Sequence, residues 1–113
     1  MLQLREKKTC EGKFGEIIQK SVDEIFSSFG RSCKQAIYSE LEKSFNIKKQ
    51  EISLKTADFA NAIEKIFGPS AKFIELRIIE KLHEKTPNFM YSPEKKDLVF
   101  TEYMANLRRF FIA

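Results

Sequence analysis

The stretch that most constrains the fold is Phe-Gly-Pro-Ser-Ala-Lys-Phe-Ile-Glu-Leu-Arg-Ile-Ile-Glu-Lys-Leu, residues 67–82. Gly68 accepts a left-handed backbone and Pro69 cannot continue a helix, so one helix ends there. Ser70 stands where a cap belongs, and the next helix is expected over 70–85. On a helical wheel Phe73, Ile74, Leu76, Ile78, Ile79 and Leu82 cover most of the circumference, leaving a polar strip at Arg77, Glu80, Lys81 and Glu84. A rod this apolar belongs at the centre of a domain, sheathed by other helices.

The remaining chain reads as helices around that rod. Residues 1–12 are polar and charged, and are expected to form a flexible arm ahead of a single domain over 13–113. Phe14, Ile17, Ile18, Val22, Ile25, Phe26 and Phe29 recur at spacings of three and four, so a first helix runs from about 13 to 29 and Gly30 stops it. Ser32 is expected to cap a second helix to about Phe45, with Cys33, Ala36, Ile37, Leu41 and Phe45 inward and a left-handed Asn46 at its end. A connector follows, pinned at Ile47, Ile52 and Leu54. Thr56 then caps a short helix to Phe67 that buries Phe59, Ala62, Ile63, Ile66 and Phe67.

After the central helix, Thr86-Pro87-Asn88 and Ser92-Pro93 break the chain. Phe89, Met90 and Tyr91 between them are apolar enough to lie across the bundle. A last helix is expected over about 94–111, its stripe formed by Leu98 or Val99, Phe100, Tyr103, Met104, Leu107, Phe110 and Phe111. No strand pattern is convincing, since the short run Asp97 to Thr101 would have no partner. The expected fold is all-α: a compact five-helix bundle of two helix-Gly-helix hairpins, about 13–45 and 57–85, plus the C-terminal amphipathic helix.

The two hairpins echo each other. With an offset of 38 residues, Ile25 falls on Ile63, Phe29 on Phe67, Gly30 on Gly68, Ser32 on Ser70, Lys34 on Lys72 and Leu41 on Ile79. Two explanations stand: shared turn chemistry in two unrelated hairpins, or a pseudo-twofold pair packed on one another.

Composition narrows the function classes. Eleven Phe and no Trp in 113 residues supply apolar volume without a polar handle, fit for a core or a partner groove. The net charge of +4 comes from 20 basic residues interleaved with 16 acidic ones, which describes solvated helix surfaces better than a dedicated nucleic-acid face. Cys10 and Cys33 lie in different contexts and read as reduced thiols. No secretion signal and no run of roughly 20 apolar residues is present, so a soluble cytoplasmic protein is expected.

Chemistry finds little purchase. Glu80 and His83 have the Glu-x-x-His spacing of di-iron bundles, but His83 is the sole histidine and the ligand set is incomplete. Cys33 has no base close in sequence and occupies the echo position of the packing residue Ala71. Asp23-Glu24 and Glu40-x-Glu42 fall on expected solvated faces, and there is no Gly-rich phosphate loop. A non-enzymatic protein without cofactor or metal is expected.

Two binding readings remain. The C-terminal stripe of Phe100, Tyr103, Met104, Leu107, Phe110 and Phe111 either closes the core or forms a protein interface, with a homodimer as the first partner and no partner protein identifiable. Alternatively, the helix starts after the two Phe-Gly corners offer free backbone N–H groups. Arg31, Ser32, Lys34, Ser70 and Lys72 beside them could then hold a DNA or RNA backbone.

The run Ser27 to Tyr38, then Leu41-Glu42-Lys43 and Phe45 to Lys48, with Phe59, Ile63 and Ile66 to Lys72 later, resembles a family of small archaeal helical domains, the Nitrosopumilus-type output domain of the fifth kind. The resemblance covers roughly 15–85. It implies an archaeal, non-enzymatic signalling output module of undefined molecular partner. The tail beyond Pro87 lies outside it, and no receiver or sensor segment accompanies it here.

Overall fold

The structure, a computed structural model, describes residues 2–89 and 100–112. It is compact and all-helical, and no strand occurs among the described residues. Helix α1 spans Leu2–Ser27, α2 Arg31–Phe45, α3 Thr56–Phe67, α4 Ala71–Lys85 and α5 Phe100–Ile112, with 3₁₀ turns at Lys49–Glu51 and Gly68–Ser70. The overall extents of 40 × 36 × 21 Å make a slab about two helices thick. A single cluster of buried apolar side chains fills it.

Ile74, Ile78 and Leu82 of α4 are buried, and α4 lies against α1, α3 and α5 as its apolar pattern requires. It shares the centre with α1, which presents Phe14, Ile18, Val22, Ile25 and Phe26 to the core and packs on α2, α4 and α5. Sheathing of α4 is incomplete, however. Phe73 is 61% exposed, so one side of the rod faces water.

An aromatic chain crosses the layers. Tyr38 of α2 meets Phe26 of α1 edge-on at 5.3 Å, Phe26 meets Phe59 of α3 at 6.4 Å, and Phe59 meets Phe100 of α5 at 6.2 Å. These separations suit tilted and edge-to-face ring contacts. They join four helices through one line of rings.

Helix ends differ from expectation in informative ways. Helix α1 begins at Leu2, so residues 2–12, read above as an arm, belong to a helix of 26 residues. Neither Ser32 nor Thr56 is a cap. Gly30 (φ 99°) and Lys55 hold those positions, and no side-chain bond closes either helix start. Ser70 does occupy the cap position of α4, but its hydroxyl makes no capping bond. Both glycine corners adopt the positive φ that their sequence predicts, 99° at Gly30 and 59° at Gly68. Asn46 takes the left-handed stop (φ 55°), and the Ile47 N–H closes onto the Leu41 carbonyl at 2.9 Å.

The connector is pinned by Ile47 and Ile52, which are buried, while Leu54 stands 66% exposed. Cys33 and Ala36, expected inward, are exposed on α2. They miss the core because α2 packs mainly on α1 and α3 among the described residues and buries a narrower stripe, Ile37 and Leu41. Phe89 is buried and packs on Tyr103 and Phe110 at 5.5 and 5.3 Å. Met90, Tyr91, Leu98 and Val99, also assigned above, lie outside the described residues, as does the expected start of the last helix at 94.

The echo has a spatial counterpart. Helix α1 packs on α2 and α4, while α3 packs on α4 and α2, a pattern unchanged when the hairpins are exchanged. Phe29 and Phe67, which share an echo position, meet with tilted rings, their centroids 6.1 Å apart. Ile25 with Ile63, and Leu41 with Ile79, are buried in both copies. The match fails along the second helices, where Ala71 is buried and Cys33 exposed. Helix α4 also packs on α5, a contact without a comparable counterpart at α2 among the described residues.

Candidate functional site

The Phe29–Phe67 contact brings the two glycine corners side by side. Arg31 and Ser32 sit in the exposed first turn of α2, and Ser70 and Lys72 at the exposed start of α4. Four of the five expected phosphate contacts are therefore open to solvent at helix starts. The fifth differs. The Lys34 ammonium is held by Asp23 Oδ2 at 3.0 Å, and its side chain is only 28% exposed.

Apolar surface accompanies these polar groups. Phe29 remains 42% exposed despite its contact with Phe67. Phe73 projects from the first turn of α4, with the Arg77 guanidinium 5.8 Å from its ring centre, within cation–π range. An exposed Phe exchanges no hydrogen bond with water and tends to mark a contact surface.

Asp23 is the polar hub of the molecule, and it was read above as ordinary solvated surface. Lys34 from α2 and Lys49 from the connector reach its two oxygens at 3.0 and 3.1 Å, and the Tyr38 hydroxyl donates to Oδ1 at 3.1 Å. The Lys49 ammonium also lies 5.0 Å from the Tyr38 ring centre. Partial desolvation pushes the Asp23 carboxyl upward, but the bonds from Lys34, Lys49 and Tyr38 outweigh it and hold the group below the ordinary carboxylate value. Burial, and then the negative charge of Asp23, push the Tyr38 phenol well above its usual range. The hub ties α1, α2 and the connector together. Sequence spacing gave no sign of it, because Asp23 and Lys49 meet only after the connector folds back.

Beside the hub, α1 and the connector flank an open cleft of about 610 Å³ whose lining includes Asp23 and Lys49. Its α1 wall carries Gly12 and Gly15. At Gly15 the connector comes so close that an added Cβ would stand 3.2 Å from Ser53 Oγ, whereas at Gly12 nothing lies within 4 Å.

The C-terminal stripe is used inside the chain. Phe100, Tyr103, Met104 and Leu107 are buried in the core, and Phe111 is partly buried against it, 6.0 Å from the Phe14 ring. Phe110 alone of the six expected interface residues is mainly outside, at 47% exposure. Helix α5 packs on α1, α3 and α4, and that covering consumes its apolar face.

No protein-family model, no curated protein and no solved structure matches this chain. Function must therefore be read from the molecule itself. Among the described residues no three His, Cys, Asp or Glu side chains come together as a metal site; Glu80 and His83 are both exposed on α4. Cys33 is an exposed thiol on α2. Glu75 is held above the ordinary carboxylate value, first by burial and then by the nearby charge of Glu64, with Lys72 opposing.

Proposed function

We propose that the chain is a non-catalytic interaction module that associates with a second copy through the end where the two Phe-Gly corners meet. One observation carries this reading: Phe29 and Phe73 stay large and exposed beside helix starts, while the C-terminal stripe is covered everywhere but at Phe110. Homodimers bury such apolar patches, and a pseudo-twofold end presents similar groups twice, which suits a self-complementary surface. In this reading the chain is a five-helix bundle working in the cytoplasm. The signalling-output character comes only from the resemblance over 15–85 and is proposed on that ground alone.

Sedimentation across a wide concentration range, with wild type against Phe29→Ser combined with Phe73→Ser, tests it. Association that the double variant loses, at an unchanged unfolding midpoint, supports the proposal. A monomer at every concentration, or association indifferent to both changes, overturns it.

A second reading is favoured by the same corner geometry: two helix N-termini joined through the Phe29–Phe67 contact, with Arg31 and Lys72 exposed in their first turns, suit a nucleic-acid backbone. Lys34 is withdrawn from that role by Asp23. The matching test is fluorescence anisotropy with labelled DNA and RNA at low and moderate salt. Binding that falls with salt, and falls again in Arg31→Glu with Lys72→Glu, would favour it; no binding at low salt removes it.

A further inference from the structure

Glu16 and Lys20 also border a smaller hollow, on the flank of α1 that meets the end of α4. It measures about 290 Å³ and is lined by Lys13, Glu16, Ile17 and Lys20 of α1 and by Lys85 of α4. Positions 13, 16, 17 and 20 recur at spacings of three and four, so they share one face of the helix. The half-buried Ile17 sits among them, and the packing of α4 on α1 adds Lys85 from far along the chain.

This lining is unbalanced in charge. Three ammonium groups accompany one carboxylate, that of Glu16. Lys85 is committed to Glu24, outside the lining, whose Oε1 lies 2.9 Å from its Nζ. Lys13 and Lys20 make no ion pair or hydrogen bond among the described residues. That holds although Glu16 stands three positions from one and four from the other, the spacings at which helix pairs form. With Lys85 and Glu24 cancelling and Glu16 counted in full, one positive charge remains. Hydrogen bonding points the same way. The free ammonium groups carry donors and no acceptor, and Glu16 supplies the one charged acceptor in the lining.

We propose that this hollow binds a compact oxyanion of the phosphate class, held by Lys13 and Lys20 with Lys85 on the α4 side. An anion there relieves the repulsion among like charges that the packing of α4 on α1 gathers around one space. Phosphate presents acceptor oxygens in several directions, so it can take charge-assisted bonds from both free ammonium groups at once. Ile17 is the one uncharged side chain in the lining, which leaves little apolar wall to reward a larger body. The site shares no residue with the two glycine corners and does not depend on self-association through them.

The test is a titration of the full chain with inorganic phosphate at pH 7, ionic strength held constant with sodium chloride, followed by amide ¹H–¹⁵N NMR. The expected result is a saturable shift at the amides of Ile17, Lys20 and Lys85. Lys20→Gln should weaken phosphate about tenfold, as loss of a charge-assisted hydrogen bond does. Glu16→Gln, which removes the carboxylate from the lining, should tighten it about threefold. Lys72→Gln removes the same charge at a glycine corner and should leave the affinity unchanged. All three variants alter exposed positions, and an unchanged spectrum away from the substitution shows that the fold is kept. Absence of saturable shifts at the three amides overturns the proposal, as do shifts confined to the amides of Arg31 and Lys72. So does a loss in Lys72→Gln equal to that in Lys20→Gln, or Glu16→Gln binding no tighter than wild type.

Discussion

At the scale of single residues, the molecule places most of its polar specificity at Asp23. Three donors from two other elements converge on a carboxylate that would otherwise sit on an open helix face. Tyr38→Phe keeps the edge contact with Phe26 and removes one of those donors, so urea unfolding at pH 7 should show a loss of about 1–1.5 kcal/mol. The pH dependence follows from the depressed Asp23 group. Its contribution is present above the ordinary carboxylate value and is lost as pH falls through the folded value, so wild type should lose stability below roughly pH 4. Asp23→Asn should flatten that acid limb in thermal melts. Ser21 poses the opposite case, since its hydroxyl is fully buried and has no hydrogen-bond partner among the described residues. Ser21→Ala removes an unmet polar group and should raise stability by up to about 1 kcal/mol in the same urea assay.

At the scale of elements, α1 and α5 hold testable asymmetries. Gly12 and Gly15 both weaken a helix interior by entropy, but only Gly15 faces a close neighbour. Gly12→Ala should gain about 0.5–1 kcal/mol by chemical denaturation, while Gly15→Ala should gain less, because Ser53 must turn away to admit the methyl group. For α5, the burial pattern separates a core role from an interface role. Leu107→Ala should cost about 2–5 kcal/mol in unfolding free energy, whereas Phe110→Ala, at a half-exposed position, should cost much less. Were the stripe an intermolecular surface, Leu107→Ala would change oligomeric state and spare the monomer. Covering by α1, α3 and α4 makes the first outcome the expected one.

At the scale of the whole molecule, one buried cluster and one line of rings connect the helices, and no second core exists among the described residues. Unfolding should therefore be a single cooperative event. Tyrosine fluorescence, to which Tyr38 at the hub and the buried Tyr103 of α5 both contribute, should trace the same urea transition as far-UV circular dichroism. Separate midpoints would show that α5 and the hairpins melt independently. The pseudo-twofold arrangement belongs to this scale too. Two short hairpins, each apolar on one side, bury those sides on each other, and α5 closes the layer that remains.

Local chemistry in the sequence determined the helical class, the positive-φ corners at Gly30 and Gly68, the left-handed stop at Asn46, and the burial of Ile74, Ile78 and Leu82. Those features depend on neighbours three or four positions away, or on the backbone freedom of one residue. Tertiary structure alone decided which apolar stripes are covered. Cys33 and Phe73 lie outside because the number of helices packed against α2 and α4 differs from what periodicity can count. It also decided that the C-terminal stripe is core, that Asp23 meets Lys49, and that a cleft opens at Gly12. Each of these is a meeting of segments distant in the chain, and a pattern that repeats within one helix carries no record of what comes to lie against it.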